Sequence, residues 1–202
     1  MRWCRLGLLA TCVALGISVL PWSARAQSPE RAPRSDGLWW SVSAAAAGAR
    51  LTCDICERTR DGGPAVEAAI GGYVRTGMRV GVEGGGWTFK DEDFREKIYT
   101  AGVVAEVHPR PGSGFHFIGG LGWSGYRAND IDPDPEDTGF SYDAIRLRVG
   151  LGWDFPMNAS WTVGNRVTVD ASSLGTLHDE GAPIANSVGL SVVRFAVYLR
   201  YR

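Results

Sequence analysis

The sequence predicts an all-β fold: a closed, antiparallel, up-and-down transmembrane β-barrel of about eight strands. Three observations predict it. Eight segments alternate apolar and polar residues with a period of two, as a strand does when its two faces meet unlike media. All ten prolines (21, 29, 33, 64, 109, 111, 133, 135, 156 and 183) fall outside those segments, as residues without a ladder N–H should. The connections alternate as well. They are short after the second, fourth and sixth segments and longer and polar after the others, the asymmetry of an exported barrel.

Ahead of the barrel, Arg2 and Arg5 precede a largely apolar run from Leu6 to Leu20, followed by Pro21 and the small-residue pattern Ala24-Arg25-Ala26 before Gln27. This is the layout of a cleavable secretory signal over residues 1–26. The run is shorter than the roughly 18 residues of a spanning helix, so a membrane location implies strands. Residues 27–37, polar and proline-bearing, read as a flexible periplasmic lead, and residues 38–202 as the barrel. Removing Arg2, Arg5 and Arg25 with the leader leaves 18 of the 21 basic residues against 22 acidic, a formal charge of −4. No basic run suits nucleic acid, and none is expected as a partner. Gly at 27 of 202 suits tight turns and close packing inside a barrel.

Strand one, about Leu38 to Ala49, sets Leu38, Trp40, Val42, Ala44 and Ala46 against Trp39, Ser41, Ser43 and Ala45. Strand two, Ala65 to Arg75, sets Val66, Ala68, Ile70 and Val74 against Glu67, Gly71, Tyr73 and Arg75; Thr76-Gly77 then fits a tight hairpin. Strand three, Met78 to Phe89, places Val80 and Val82 opposite Arg79, Gly81 and Glu83. Strand four, Glu96 to Val107, places Tyr99, Ala101, Val103 and Ala105 opposite Thr100, Gly102 and Glu106. Strand five, Gly114 to Tyr126, alternates Phe115, Phe117, Leu121 and Trp123 with His116, Gly120, Gly122 and Ser124. In strand six, Phe140 to Phe155, Ile145, Leu147, Val149, Leu151, Trp153 and Phe155 oppose Ala144, Arg146, Arg148 and Asp154. Strand seven, Ser160 to Ala171, sets Trp161, Val163, Val167 and Val169 against Thr162, Gly164, Arg166 and Thr168. A loop to Ser187 leads to the closing strand, Val188 to Arg202, where Val193, Phe195, Val197, Leu199 and Tyr201 oppose Arg194, Ala196, Tyr198, Arg200 and Arg202.

Alternation alone fits a soluble lipocalin-like ligand-binding barrel too, with its apolar face inward. The polar faces here hold Gly, Ser, Thr, Tyr and Arg with almost no Lys, which suits a crowded interior. Their charges form a matched set: Glu67, Glu83, Glu106 and Asp154 stand against Arg75, Arg79, Arg146, Arg148, Arg166, Arg194 and Arg200, an expected interior charge network. Apolar-face aromatics fall near strand ends, as two membrane-interface girdles would. Trp40, Phe115, Phe117, Trp153, Phe155, Trp161 and Tyr201 lie towards the short-turn rim, Tyr99 and Trp123 towards the other.

The strand count, the loop asymmetry and the aromatic-bearing last strand resemble the small eight-stranded outer-membrane proteins of the OmpA and OmpX kind, over Leu38 to Arg202. The chain departs from them in placing its aromatic, Tyr201, penultimate before Arg202. The resemblance implies export to the outer membrane of a Gram-negative-type bacterium. It also implies contact with outer-membrane lipid, lipopolysaccharide and the barrel assembly machinery, and a monomer.

Specific chemistry is sparse. Cys53 and Cys56, the only cysteines after the leader, cannot complete a zinc site alone and read as a small disulfide at a loop tip. The acidic stretch Asp130 to Asp137 carries Pro135 where a calcium loop needs glycine, and reads as solvated. Ser172, Ser173, His178, Asp179 and Glu180 share a loop, a poor place to fix a nucleophile and its base. His108 sits in a turn and His116 faces the interior alone. No catalysis, metal or cofactor is expected. Eight strands leave a lumen just wide enough for side chains, so a filled structural or surface-interaction barrel is favoured over a narrow pore.

Overall fold

A computed structural model describes residues 37–52, 61–90, 94–110, 112–130, 140–179 and 182–202. The expected leader and most of the lead, Cys53, Cys56, the acidic stretch after Asp130 and Glu180 lie outside the described residues. The chain forms eight strands: β1 (Leu38–Thr52), β2 (Asp61–Arg75), β3 (Met78–Lys90), β4 (Phe94–Val107), β5 (Phe115–Asp130), β6 (Phe140–Pro156), β7 (Trp161–Asp179) and β8 (Ala182–Tyr201). Each pairs antiparallel with the next, and β1 closes onto β8 from Trp40↔Tyr201 to Thr52↔Gly189. Closure leaves no strand edge unpaired along that seam, the condition for a sheet to sit in lipid.

Strand parity places the polar residues inside. Along β6, Tyr142, Ala144, Arg146 and Arg148 are buried while Ile145, Leu147, Val149 and Leu151 are exposed. Ile145 is 70% exposed and Arg146 0%, the reverse of what the soluble alternative with its apolar face inward requires. Ile145 to Phe155 bounds the outward apolar run of this strand. At about 3.3 Å per residue and a tilt near 40°, its ten steps rise about 25 Å, the height of a lipid-facing band.

At the rim of the short connections every strand boundary falls within one residue of expectation. Gly77, with φ of 78°, takes the left-handed conformation that the two-residue Thr76-Gly77 turn requires, and its carbonyl accepts the His108 N–H at 2.7 Å. At the opposite rim the strands outrun expectation. β7 continues past Ala171 to Asp179 and β8 begins at Ala182 rather than Val188, so residues 180–181 alone separate them; residues 91–93 separate β3 from β4. The long connection after β7 is thus largely a strand hairpin instead of a loop, and the one after β3 is shorter than expected.

The extension corrects the proline pattern. Pro64, Pro156 and Pro183 lie within strands. The β2–β3 register begins at Ala65 and the β1–β8 register at Gly189, so Pro64 and Pro183 stand where their strands have run past one neighbour. Pro156 is a terminal residue. Each sits at an edge, where a missing N–H is tolerated.

Candidate functional site: the charged lumen

The inward positions of β2, β3, β6, β7 and β8 converge at mid-height on one ion-pair lattice. Glycines at inward positions, among them Gly85, Gly102, Gly120 and Gly150, leave the lumen free for long side chains. Arg148 is its hub: Nε donates to Asp170 Oδ1 at 2.8 Å, Nη1 to Glu83 Oε2 at 2.7 Å and Nη2 to Glu67 Oε1 at 2.5 Å. Arg146 donates to Glu83 Oε1 at 2.6 Å, and Arg166 to Glu67 Oε2 at 2.8 Å and to Ser43 Oγ at 3.1 Å. Arg194 donates to Asp170. These bonds tie β6 to β2 and β3 across the lumen, not merely to its sheet neighbours. Every charged group in them is buried. Buried charges are tolerable only when paired and hydrogen-bonded, and here each carboxylate accepts from at least one guanidinium.

Below this lattice, towards the short-turn rim, lies a second cluster. Arg79 donates to Glu106 Oε2 at 2.6 Å and to Asp154 Oδ2 at 3.0 Å. Arg200 reaches Glu106 at 2.7 and 2.8 Å and both Asp154 oxygens at 3.1 Å. Tyr198 also donates to Asp154, and the Arg200 guanidinium lies 4.8 Å from the Tyr198 ring and 5.4 Å from that of Trp39. His108 Nε2 stands 3.2 Å from Asp154 Oδ2, and the rings of His108 and His116 are 4.9 Å apart. His116 is therefore not alone.

Above the lattice the lumen turns apolar. Trp87, Ile98, Tyr126, Tyr142, Val188, Leu190 and Val192 form a buried cluster, with the Tyr142 hydroxyl donating to Val188 O at 2.9 Å.

Of the expected network, Glu67, Arg79, Glu83, Glu106, Arg146, Arg148, Arg166, Arg194 and Arg200 lie in the lumen. Arg75 does not: a register shift between Tyr73 and Arg75, beside the turn, leaves it exposed. Asp170 joins them unforeseen, although the parity of Thr162, Arg166 and Thr168 leads straight to it. Ser172 turns into the lumen wall, its Oγ 2.6 Å from Ser124 Oγ, instead of standing in a loop.

The expected aromatics stand on the outer face. Trp40, Tyr99, Phe117, Trp123, Trp153, Phe155 and Tyr201 are exposed, and Phe115 and Trp161 half-buried against them. Trp40, Trp161 and Tyr201 pack together across the β1–β8–β7 seam, with ring centroids 5.0 to 6.0 Å apart, and Phe115 packs on Phe117 and Trp153.

No family model and no curated protein matches the sequence. Solved structures do. Neisserial surface protein A superposes with a TM-score of 0.56 at 18% identity, covering 80% of this chain and 96% of its own. Ail, the attachment invasion locus protein of Yersinia pestis, superposes with a TM-score of 0.53 at 12% identity, covering 80% of this chain and 97% of its own. At such identities the likeness concerns architecture. A closed eight-stranded antiparallel barrel with an apolar outer band and a salt-bridged lumen, matched over nearly the whole of these proteins, has the fold of the small outer-membrane barrels.

Proposed function

We propose that the protein is an exported outer-membrane barrel whose lumen is plugged, acting as a structural or surface-interaction element, with no catalytic role and no open pore. The observation that carries this reading is the cross-lumen lattice of Arg146, Arg148, Glu67 and Glu83, with side chains at most 4% exposed. A solute entering the barrel at this height meets paired charges that would have to be separated in a poorly hydrated interior. The outward apolar band supports a location in lipid, with lipopolysaccharide as the outer-leaflet neighbour and the barrel assembly machinery as the insertion partner. The extended β7–β8 hairpin supplies the surface for interaction. The names of the two neighbours, a surface protein and an attachment protein, are in keeping with it.

Planar-bilayer recording of the purified protein tests the plug. Silence is expected from the wild type, and reproducible large openings would sink the reading. Cell fractionation with heat-modifiable gel mobility tests the location: a band in the outer-membrane fraction that shifts on boiling is expected.

A further inference from the structure

We propose that the floor of the barrel binds one divalent transition-metal ion through His108, His116 and Asp154. The three come from the connection after β4, from β5 and from the end of β6, and their ligand atoms all lie within 4.8 Å of one another. The chain holds three histidines in all, and two of them meet here.

Each ligand is already held in place by its surroundings. The His108 backbone is fixed by its N–H donating to Gly77 O, and its Nε2 faces Asp154 Oδ2 at 3.2 Å. His116 is fully buried, with Nδ1 3.2 Å from Gly114 O. A carbonyl can only accept, so Nδ1 carries the proton and Nε2 presents its lone pair, the tautomer in which a backbone carbonyl orients a metal-ligating imidazole. That Nε2 has no hydrogen-bond partner among the described residues. The ring lies over Gly152, where a Cβ would come within 2.4 Å of Nε2, so glycine makes its seat. A buried lone pair left bare, beside a second imidazole and a carboxylate, is a gap that a cation fills.

The donor set selects the ion. Two imidazole nitrogens and one carboxylate oxygen suit zinc and its borderline relatives, and not calcium or magnesium, which prefer oxygen throughout. Three protein ligands leave a position for water. Arg79 Nη2 now stands 3.5 Å from His108 Nε2 and 3.0 Å from Asp154 Oδ2; the ion takes over these two contacts while Arg79 keeps Glu106 at 2.6 Å. Glu106 and Asp154 offset the charges of Arg79 and Arg200, so the ion does not enter a site already in positive excess. Once bound, it ties β4, β5 and β6 together at the short-turn mouth. The proposal rests on the barrel's geometry and is independent of any surface role or conductance.

Cobalt titration of the folded, untagged protein is the test. Ligand-field absorption of a four- or five-coordinate site is expected, saturating at one equivalent and displaced by zinc. His108→Gln and His116→Gln should each weaken zinc binding at least tenfold, while His178→Gln, altering the third histidine, should leave it unchanged. Heat-modifiable mobility checks that each variant folds. The Cu2+ electron paramagnetic resonance spectrum of the wild type needs no variant, and coupling to two imidazole nitrogens is expected. Absence of saturable cobalt uptake, oxygen-only copper coordination, or undiminished binding by a folded His108→Gln/His116→Gln protein would overturn the proposal.

Discussion

The lower and upper parts of the barrel are built from the same strands with opposite polarity. Along β8, Val193, Phe195, Val197, Leu199 and Tyr201 point outward, with Arg194, Tyr198 and Arg200 inside. A few residues earlier on the same strand Val188, Leu190 and Val192 point inward, and Gly189 and Ser191 outward. β6 changes over between Asp143, outward and exposed, and Ile145; β5 does so between Arg127 and Trp123. The apolar side of the wall thus changes from outside to inside at one height, near the rings of Tyr99 and Trp123. Below it the outer surface is suited to lipid, and the lumen must be filled by polar groups that satisfy one another. Above it the outer surface is suited to water, and the lumen packs as an ordinary hydrophobic core. The interior of such a barrel is therefore set by what its outside has to face.

Removing one lattice carboxylate should show the largest difference between the two parts. Glu67→Ala leaves Arg148 and Arg166 without a main partner and should cost about 3–5 kcal/mol. Urea unfolding in lipid, followed by gel mobility, measures it; a cost below about 1 kcal/mol would mean that water, not pairing, stabilises the lumen. The changeover height can be broken from outside. Leu147→Arg, in the exposed apolar run of β6, should cost about 2–4 kcal/mol, whereas Asp143→Arg, two residues past the end of that run at Ile145, should cost about 0–1 kcal/mol. Equal costs would remove the boundary. The smallest effect belongs to the surface pair Arg127–Asp143, 3.1 Å apart with side chains 42% and 49% exposed. Arg127→Ala should change stability by about 1 kcal/mol or less, measured in the same unfolding assay.

The parity of every strand was legible before the fold was known, and so were the ends at the short-turn rim. Lipid-facing positions there need apolar side chains without interruption, and the turns carry Gly and Pro. Parity likewise marked the eleven residues of the expected charge network as inward, and all of them but Arg75 stand in the lumen. The extensions of β7 past Ala171 and of β8 ahead of Val188 were not legible, because Pro183 marks a loop when read alone and the register shifts between Ser172 and His178 break the alternation that would announce a strand. Arg75 left the network through a bulge that no alternation announces.

Which charges meet is a different kind of fact. Arg148 finds Glu67 and Glu83, and His108 finds His116 and Asp154, because closing eight tilted strands brings particular levels of distant strands to one height. Alternation along a strand is local and needs only its neighbours. The stagger between strands accumulates around the whole barrel, so a lattice across the lumen and a three-residue cluster at its floor exist only once β8 has met β1.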